Sequence, residues 1–343
     1  MKKILSIAVI MVLVLGLFSG CGGAKETEDQ AGGNENQSYE IRVAHVCGIG
    51  SPYDYGANAF KKLVEEQSDG RITVSVHAGD LTSDDVEGVE MLQAGNLEIL
   101  WSGTGNLSGF APDVAIFEMP FLFKDPAHLE RALASEFGTR ILNEVSGIKN
   151  IEALAFHEDG WRNILTKDVE INSLADLKGV RIRSMMNDIC VEMYKALGAV
   201  PVTISSGEIY TSLQTGLVSG EDNSFLYADA DGYIEQINAA AMVHHFYSSG
   251  IVLTNDKWFN SLTPEDQELI RNATIEAGIE QRAWFLEADN EMMEKYKAQG
   301  CTVTYPEDLD AWRDAVQPVY TKYYEKYPEW KELVKIIEDL EDK

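Results

Sequence analysis

Gly160-Trp161-Arg162, Ser173-Leu174-Ala175-Asp176-Leu177-Lys178-Gly179-Val180-Arg181-Ile182-Arg183, Lys195-Ala196-Leu197-Gly198-Ala199, Glu208-Ile209-Tyr210-Thr211-Ser212-Leu213-Gln214-Thr215-Gly216 and Gly220-Glu221-Asp222-Asn223 follow one another mid-chain, and their order decides the fold. Val180 to Arg183 reads as a short strand, Asp188 to Leu197 as a helix closed by Gly198, and Gly207 to Thr215 as a second helix closed by Gly216. Alternation along the strand puts Arg181 and Arg183 on one face and Val180 and Ile182 on the other. Open α/β sheets hold ligands at strand ends. A guanidinium there presents a permanently charged fork of donors that matches a carboxylate bidentately. Arg162, Arg183 and Asn223 sit at such ends and are the first candidate ligand residues.

The same grammar extends in both directions. Glu40 to Ala44 and Arg71 to His77 alternate as strands, and Leu97 to Trp101 is a third. Between them, Tyr55 to Gln67 has helical spacing and stops at Ser68-Asp69-Gly70, and Ser83 to Ala94 reads as a helix capped by Ser83. This βαβαβ pattern predicts an α/β domain with a largely parallel sheet, and the region from Trp161 to about Phe246 repeats it. Further on, Thr263-Pro264-Glu265-Asp266 is a helix start, and the helical pattern runs to about Gln299. Cys301 to Thr304 is a last strand, and Asp308 to Asp342 is helical with a break near Pro328.

The chain has 343 residues, enough for two domains. A formal net charge of -28 argues against nucleic-acid or anionic-membrane partners, which need a basic face. Lys2 and Lys3, the apolar run Ile4 to Leu17 and Phe18-Ser19-Gly20-Cys21 have the grammar of a signal peptide over residues 1–20. Its end resembles a bacterial lipobox, with Phe18 where leucine is usual, and Cys21 is the candidate lipidation site. Residues 21–38 hold almost nothing apolar and read as a flexible tether. Cys47, Cys190 and Cys301 are far apart and odd in number, so no disulfide framework follows, and no CxxC pair suggests zinc. His244 and His245 are adjacent, so on a strand they face opposite ways and cannot share a metal.

These pieces, in this order, resemble the solute-binding proteins of the tripartite ATP-independent periplasmic (TRAP) transporters, the DctP-type family. Ala44-His45-Val46, Met119-Pro120-Phe121-Leu122-Phe123 and Leu262-Thr263-Pro264-Glu265-Asp266 belong to the likeness, which covers nearly all of the chain after about residue 39. The resemblance implies a two-lobed periplasmic-binding-protein-like fold with a hinge and a long helix that spans both domains. It places the first lobe at 39–159 plus about 248–287 and the second at 160–247 plus about 288–343. It implies a monomer that captures a small organic acid, needs no cofactor or metal, and delivers its ligand to membrane permease subunits. The expected location is extracytoplasmic, tied to the cell membrane by the lipid on Cys21.

In that family the counterpart of Arg183 clamps the ligand carboxylate, that of Arg162 is a second cationic contact, and that of Asn223 donates to the same carboxylate. Trp161 offers either a flat wall to the ligand or plain core packing. Many members carry a stacking aromatic where this chain has Ser206, and Val-Pro after the clamping arginine where it has Ser184-Met185. His45, Asp84, Ser102 and Gly103 fall at strand ends or turns where relatives contact ligand. The same chemistry would serve a ligand-sensing receptor for a membrane kinase. An exported enzyme would need a nucleophile–base pair or a metal cluster, and the sequence presents neither. Dicarboxylates, sugar acids and keto acids all require the same arginine, so the ligand stays open.

Overall fold

The computed structural model of the protein describes residues 37–82 and 84–341. The expected signal peptide, Cys21 and nearly all of the expected tether lie outside them. The amino-terminal strands and helices form where periodicity predicts: β1 (Tyr39–His45), α1 (Pro52–Gln67), β2 (Ile72–Ala78), α2 (Asp85–Ala94) and β3 (Ile99–Gly103). Helix α1 starts on Ser51, whose hydroxyl accepts from the Asp54 N–H at 3.2 Å, with Pro52 in the first turn. The cap of α2 is Asp84, which accepts from Glu87 N–H at 2.9 Å. Ser83, the expected cap, lies outside the described residues.

Beyond β3 come α3 (Thr104–Leu107), a 3-10 turn over Pro112–Glu118, α4 (Pro126–Leu133) and α5 (Glu136–Ser146). The chain then enters β4 (Ile151–Thr166), followed by β5 (Arg181–Ser184), α6 (Asp188–Ala196), β6 (Val200–Thr203), α7 (Ile209–Gln214), β7 (Gly220–Asn223) and α8 (Phe225–Ala230). Next are β8 (Ala239–Asn255), α9 (Asp256–Phe259), α10 (Pro264–Ala298) and β9 (Thr302–Thr304). Three helices finish the described chain: α11 (Leu309–Ala315), α12 (Gln317–Lys326) and α13 (Trp330–Glu338).

All strands join one mixed sheet in the order β2-β1-β3-β8-β4-β7-β5-β6, with β9 beside β8. The expected parallel pairing holds at the two ends, where β1 pairs with β2 and β3 and β5 pairs with β6 and β7. The centre differs. Strands β4 and β8, of 16 and 17 residues, pair antiparallel with each other, and so do β3 with β8 and β4 with β7. The β4–β8 ladder shifts register between Ala153 and Ala155, Glu158 and Gly160, and Arg162 and Ile164. Such bulges bend a strand and re-aim its side chains. The two long strands thus tie the first strand group to the second.

Helix α10 is capped as predicted, with Thr263 accepting from Asp266 N–H at 3.2 Å. Its 35 residues extend about 52 Å at 1.5 Å per residue, and it packs against α1, β4 and α8. Two glycines let it approach β4 closely. A Cβ on Gly278 would lie 2.8 Å from the Phe156 carbonyl oxygen, and one on Gly160, whose φ is +85°, would lie 2.2 Å from the Phe285 ring. The C-terminal helices break after Ala315 as well as near Pro328; α12 packs on α6 and α13 on α4 and α5. Among the described residues, no helix is long and apolar enough to cross a membrane.

Candidate functional site

The ends of β1, β3, β5 and β7 and the middle of β4 converge on a buried cavity of about 50 Å³. By the roughly 10–15 Å³ that one water needs, it holds about four waters. Arg162, Arg183 and Asn223 line it together with Gly103 and Ser206. Through Asp85, Asn106, Arg183 and Ser206, the cavity shares its wall with an outer cleft of about 550 Å³. That cleft runs past Asp84, Phe110 and Met186 to Tyr323, Lys326 and Tyr327.

The two arginines are held differently. Arg162, on β4, donates to Asn223 Oδ1 at 3.2 Å and to the Asp222 carbonyl, and stands 3.4 Å from Asp222 Oδ1. Its Nε has no partner, and its guanidinium lies over the Phe246 ring at 5.6 Å. Arg183, on β5, donates from Nε to the Ile204 carbonyl at 2.9 Å and has Nη1 3.8 Å from Glu221 Oε2. Both are buried. Asn223 donates to the Tyr233 hydroxyl at 2.9 Å while its carbonyl oxygen receives Arg162. Arg162 is thus locked into the frame, and Arg183 is less committed.

Behind the arginines lie the acids of the Gly220–Asn223 strand. Burial would raise the Asp222 carboxyl, but the Arg162 charge and a 2.9 Å hydrogen bond with His245 Nε2 outweigh it and hold it well below the usual range. Burial dominates at Glu221, pushing it up to about 7 against the pull of Arg183 and Arg162. Burial likewise lifts Glu118 to about 8. Glu158, at a β4 bulge, rises to about 7 although Arg282 of α10 stands 3.3 Å away.

The remaining expected residues divide. Ser206 and Gly103 face the inner cavity, and Asp84 lines the outer cleft while capping α2. His45 is fully buried, with Nε2 3.7 Å from Asp54, and lines neither space. Ser102 is buried beneath them, donating toward the Gly103 carbonyl. Trp161 faces away from the arginines, as its neighbour on a strand must. It stacks on His244 at 5.0 Å in a separate cavity of about 390 Å³ with Phe121, Arg313 and Tyr320. His244 and His245 do point to opposite sides, the first to Trp161 and the second to Asp222. Cys47, Cys190 and Cys301 are free thiols.

Sequence reasoning passed over most of the inner lining, including Tyr53, Asp85, Asn106, Asp159, Tyr227 and Asp231. No spacing marks them, since they are scattered over α1, α2, α3, β4 and α8 with its cap. Asp159 alone had a signal, standing directly before Gly160-Trp161-Arg162.

The chain matches the family described as bacterial extracellular solute-binding protein, family 7, over residues 43–327. It is 26% identical over 286 residues to the 2,3-diketo-L-gulonate-binding periplasmic protein of Escherichia coli K12, covering 83% of this chain and 87% of that protein. Identity is 27% over 293 residues to the sialic acid-binding periplasmic protein of Vibrio cholerae serotype O1, covering 85% and 91%. Among solved structures, a TRAP periplasmic solute-binding protein from Pseudomonas putida F1 with bound D-glucuronate superposes with a TM-score of 0.81. It shares 30% identity over 88% of this chain and 97% of that one.

Proposed function

Because this chain belongs to the bacterial extracellular solute-binding protein family 7, the DctP-type receptors of TRAP transporters, we propose that the cavity at Arg183 is where it captures a small organic acid for a membrane permease. The observation that carries this is the convergence of Arg162, Arg183 and Asn223 on one buried space at the strand ends. A carboxylate taken out of water needs donors and countercharge, and a partly committed guanidinium supplies both. Arg183 is the clamp, and Arg162 orients Asn223 and adds charge.

The relatives whose ligands are named favour sugar acids, among them glucuronate and sialic acid. Ser206, where an aromatic is common, leaves the inner cavity continuous with the outer cleft and leaves room for a polar substituent. The protein acts as a binding protein rather than an enzyme. Its lobes, 39–159 with about 248–287 and 160–247 with about 288–343, close by bending at the bulges of β4 and β8. The ligand binds the closed form better and so stabilises it. Cys21 carries the lipid that keeps the receptor at the membrane.

A thermal-shift panel of organic acids on protein refolded from denaturant tests this reading, with Arg183→Ala in parallel. A ligand at a hundred times its dissociation constant adds about 2.7 kcal/mol. One acid class should raise the midpoint of the parent and leave the variant unmoved. A shift of equal size in Arg183→Ala would remove the clamp.

A further inference from the structure

The inner cavity has a second pole. Asp85, Asp159 and Asp231 all line it, and among the described residues the cations lining it are Arg162 and Arg183. Asp222 stands 3.4 Å from Arg162, whereas Arg183 has only a 3.8 Å contact with Glu221. Three aspartates on the ligand side thus face two guanidiniums, of which Arg162 is already paired with Asp222.

One of them, Asp159, stands beside Gly103, and Asp85 is tied to the same corner through Asn106. A methyl group on the Gly103 Cα would lie 3.0 Å from the Tyr53 hydroxyl, 3.8 Å from Asn106 Nδ2 and 3.9 Å from Asp159 Oδ2. Asn106 in turn donates to Asp85 Oδ2 at 2.6 Å. The absent side chain at Gly103 is what leaves space in front of these carboxylates. Asp85 Oδ1 is buried with no donor at good hydrogen-bond geometry, although Ser102 lies near enough to stabilise the carboxylate, and the Tyr53 and Tyr227 hydroxyls are directed at Asp159. Asp231 uses one oxygen to accept from Gly48 N–H at 2.8 Å.

An under-satisfied acceptor such as Asp85 Oδ1 in a buried cavity calls for a donor from the ligand. Hydroxyl groups would satisfy its lone pairs but not its charge, and a buried carboxylate without countercharge is costly. A metal ion is a poor occupant, because among the described residues no three acidic, histidine or cysteine side chains are placed to hold one. Burial pushes Asp85 up, to about 7, and the neighbouring Asp159 charge adds to it, so an ammonium placed beside it would restore the charged form.

We infer that the solute is zwitterionic: its carboxylate goes to Arg183 and Arg162, and a protonated amine at its other end goes to Asp85 and Asp159. This rests on the receptor reading above and narrows its ligand class to amino-substituted carboxylic acids. The site then gains two complementary charge pairs rather than one, the ligand carboxylate beside the arginines and the ammonium among the aspartates.

Matched probes decide it. Calorimetric titration of the ligand-free protein compares three ω-amino acids, 4-aminobutyrate, 5-aminovalerate and 6-aminohexanoate, with the corresponding ω-hydroxy acids, and includes D-glucuronate. At least one amino compound should bind about tenfold or more tighter than its hydroxy partner, the least that one desolvated charge pair contributes. Asp85→Asn and Asp159→Asn keep size and hydrogen bonding; each should erase the preference while the ligand-free melting midpoint stays near the parent value. Equal affinity within every pair, persistence of the preference in both variants, or binding of D-glucuronate with none of the amino series would overturn the inference. The last outcome leaves the receptor reading standing. If no carboxylate of either kind binds at millimolar concentration, both fall together.

Discussion

Arg162 and Arg183 line the same cavity, yet removing them should have opposite signatures. Arg162→Ala deletes hydrogen bonds to Asn223 and to the Asp222 carbonyl and leaves the fully buried Asp222 carboxylate with only His245 and Tyr194 nearby. Stripping one partner from a buried ion pair costs about 3–5 kcal/mol. Arg183→Ala loses one bond to a neutral carbonyl and a 3.8 Å contact with Glu221. One such bond is worth about 0.5–1.5 kcal/mol. Urea unfolding of the ligand-free protein should therefore show a large loss for the first and a small one for the second. With ligand present, only Arg183→Ala should lack the added stability while keeping a near-parental fold. Acid adds a check. The folded Asp222 carboxyl is held below its unfolded value, so its stabilisation is present above about pH 3.9 and fades as pH falls toward the folded value. The gap between parent and Arg162→Ala should narrow over that interval. Equal ligand-free losses for the two variants, or a gap that widens in acid, would refute the division of labour.

Three further outcomes follow from the same geometry. Trp161→Ala should change ligand affinity by less than about twofold in calorimetry, because Trp161 occupies the cavity behind the arginines with His244; a tenfold loss would put it in the site. Glu118 is buried and lifted to about 8, above an unfolded value of about 4.3, so it favours folding less and less as pH climbs through that interval. Urea midpoints at about pH 5.5 and about pH 8 should converge in Glu118→Gln relative to the parent, and an unchanged slope would count against it. Gly160→Ala should cost about 1–2 kcal/mol for its left-handed backbone and about 1–3 kcal/mol for the Phe285 clash. Adding Phe285→Ala should relieve only the second part, and full additivity of the two losses would show that no clash exists.

What the sequence disclosed, and what it hid, follows burial. Helix α1, helix α10 and strand β1 show their period or their caps because one face meets water or a proline and an acid mark the start. Strands β4 and β8 are buried along almost their whole length, so no polar residue alternates to reveal them, and three register shifts scramble what period remains. They read as pieces of a repeated βα pattern instead of as the shared centre of the sheet. In the site, residues within the ordered central stretch, Arg162, Arg183, Ser206 and Asn223, line one cavity. Asp85, Tyr53 and Asp231 could not be foreseen, since each is an ordinary polar residue at an element end until the sheet brings those ends together. Trp161 was ambiguous because which face of β4 it takes depends on the neighbouring bulges.

The position of β8 between β3 and β4 also dictates an order of assembly. An exported chain emerges amino end first, and β1, β2 and β3 can pair as soon as they are out. The free side of β3 then waits for Gly250–Thr254, roughly 150 residues later in the sequence. Until that strand arrives, a short apolar edge stands open, the kind of surface on which chains join wrongly. Pairing across such a separation is slow. The sheet of the amino-terminal strands is therefore complete only when the returning strand fills the gap.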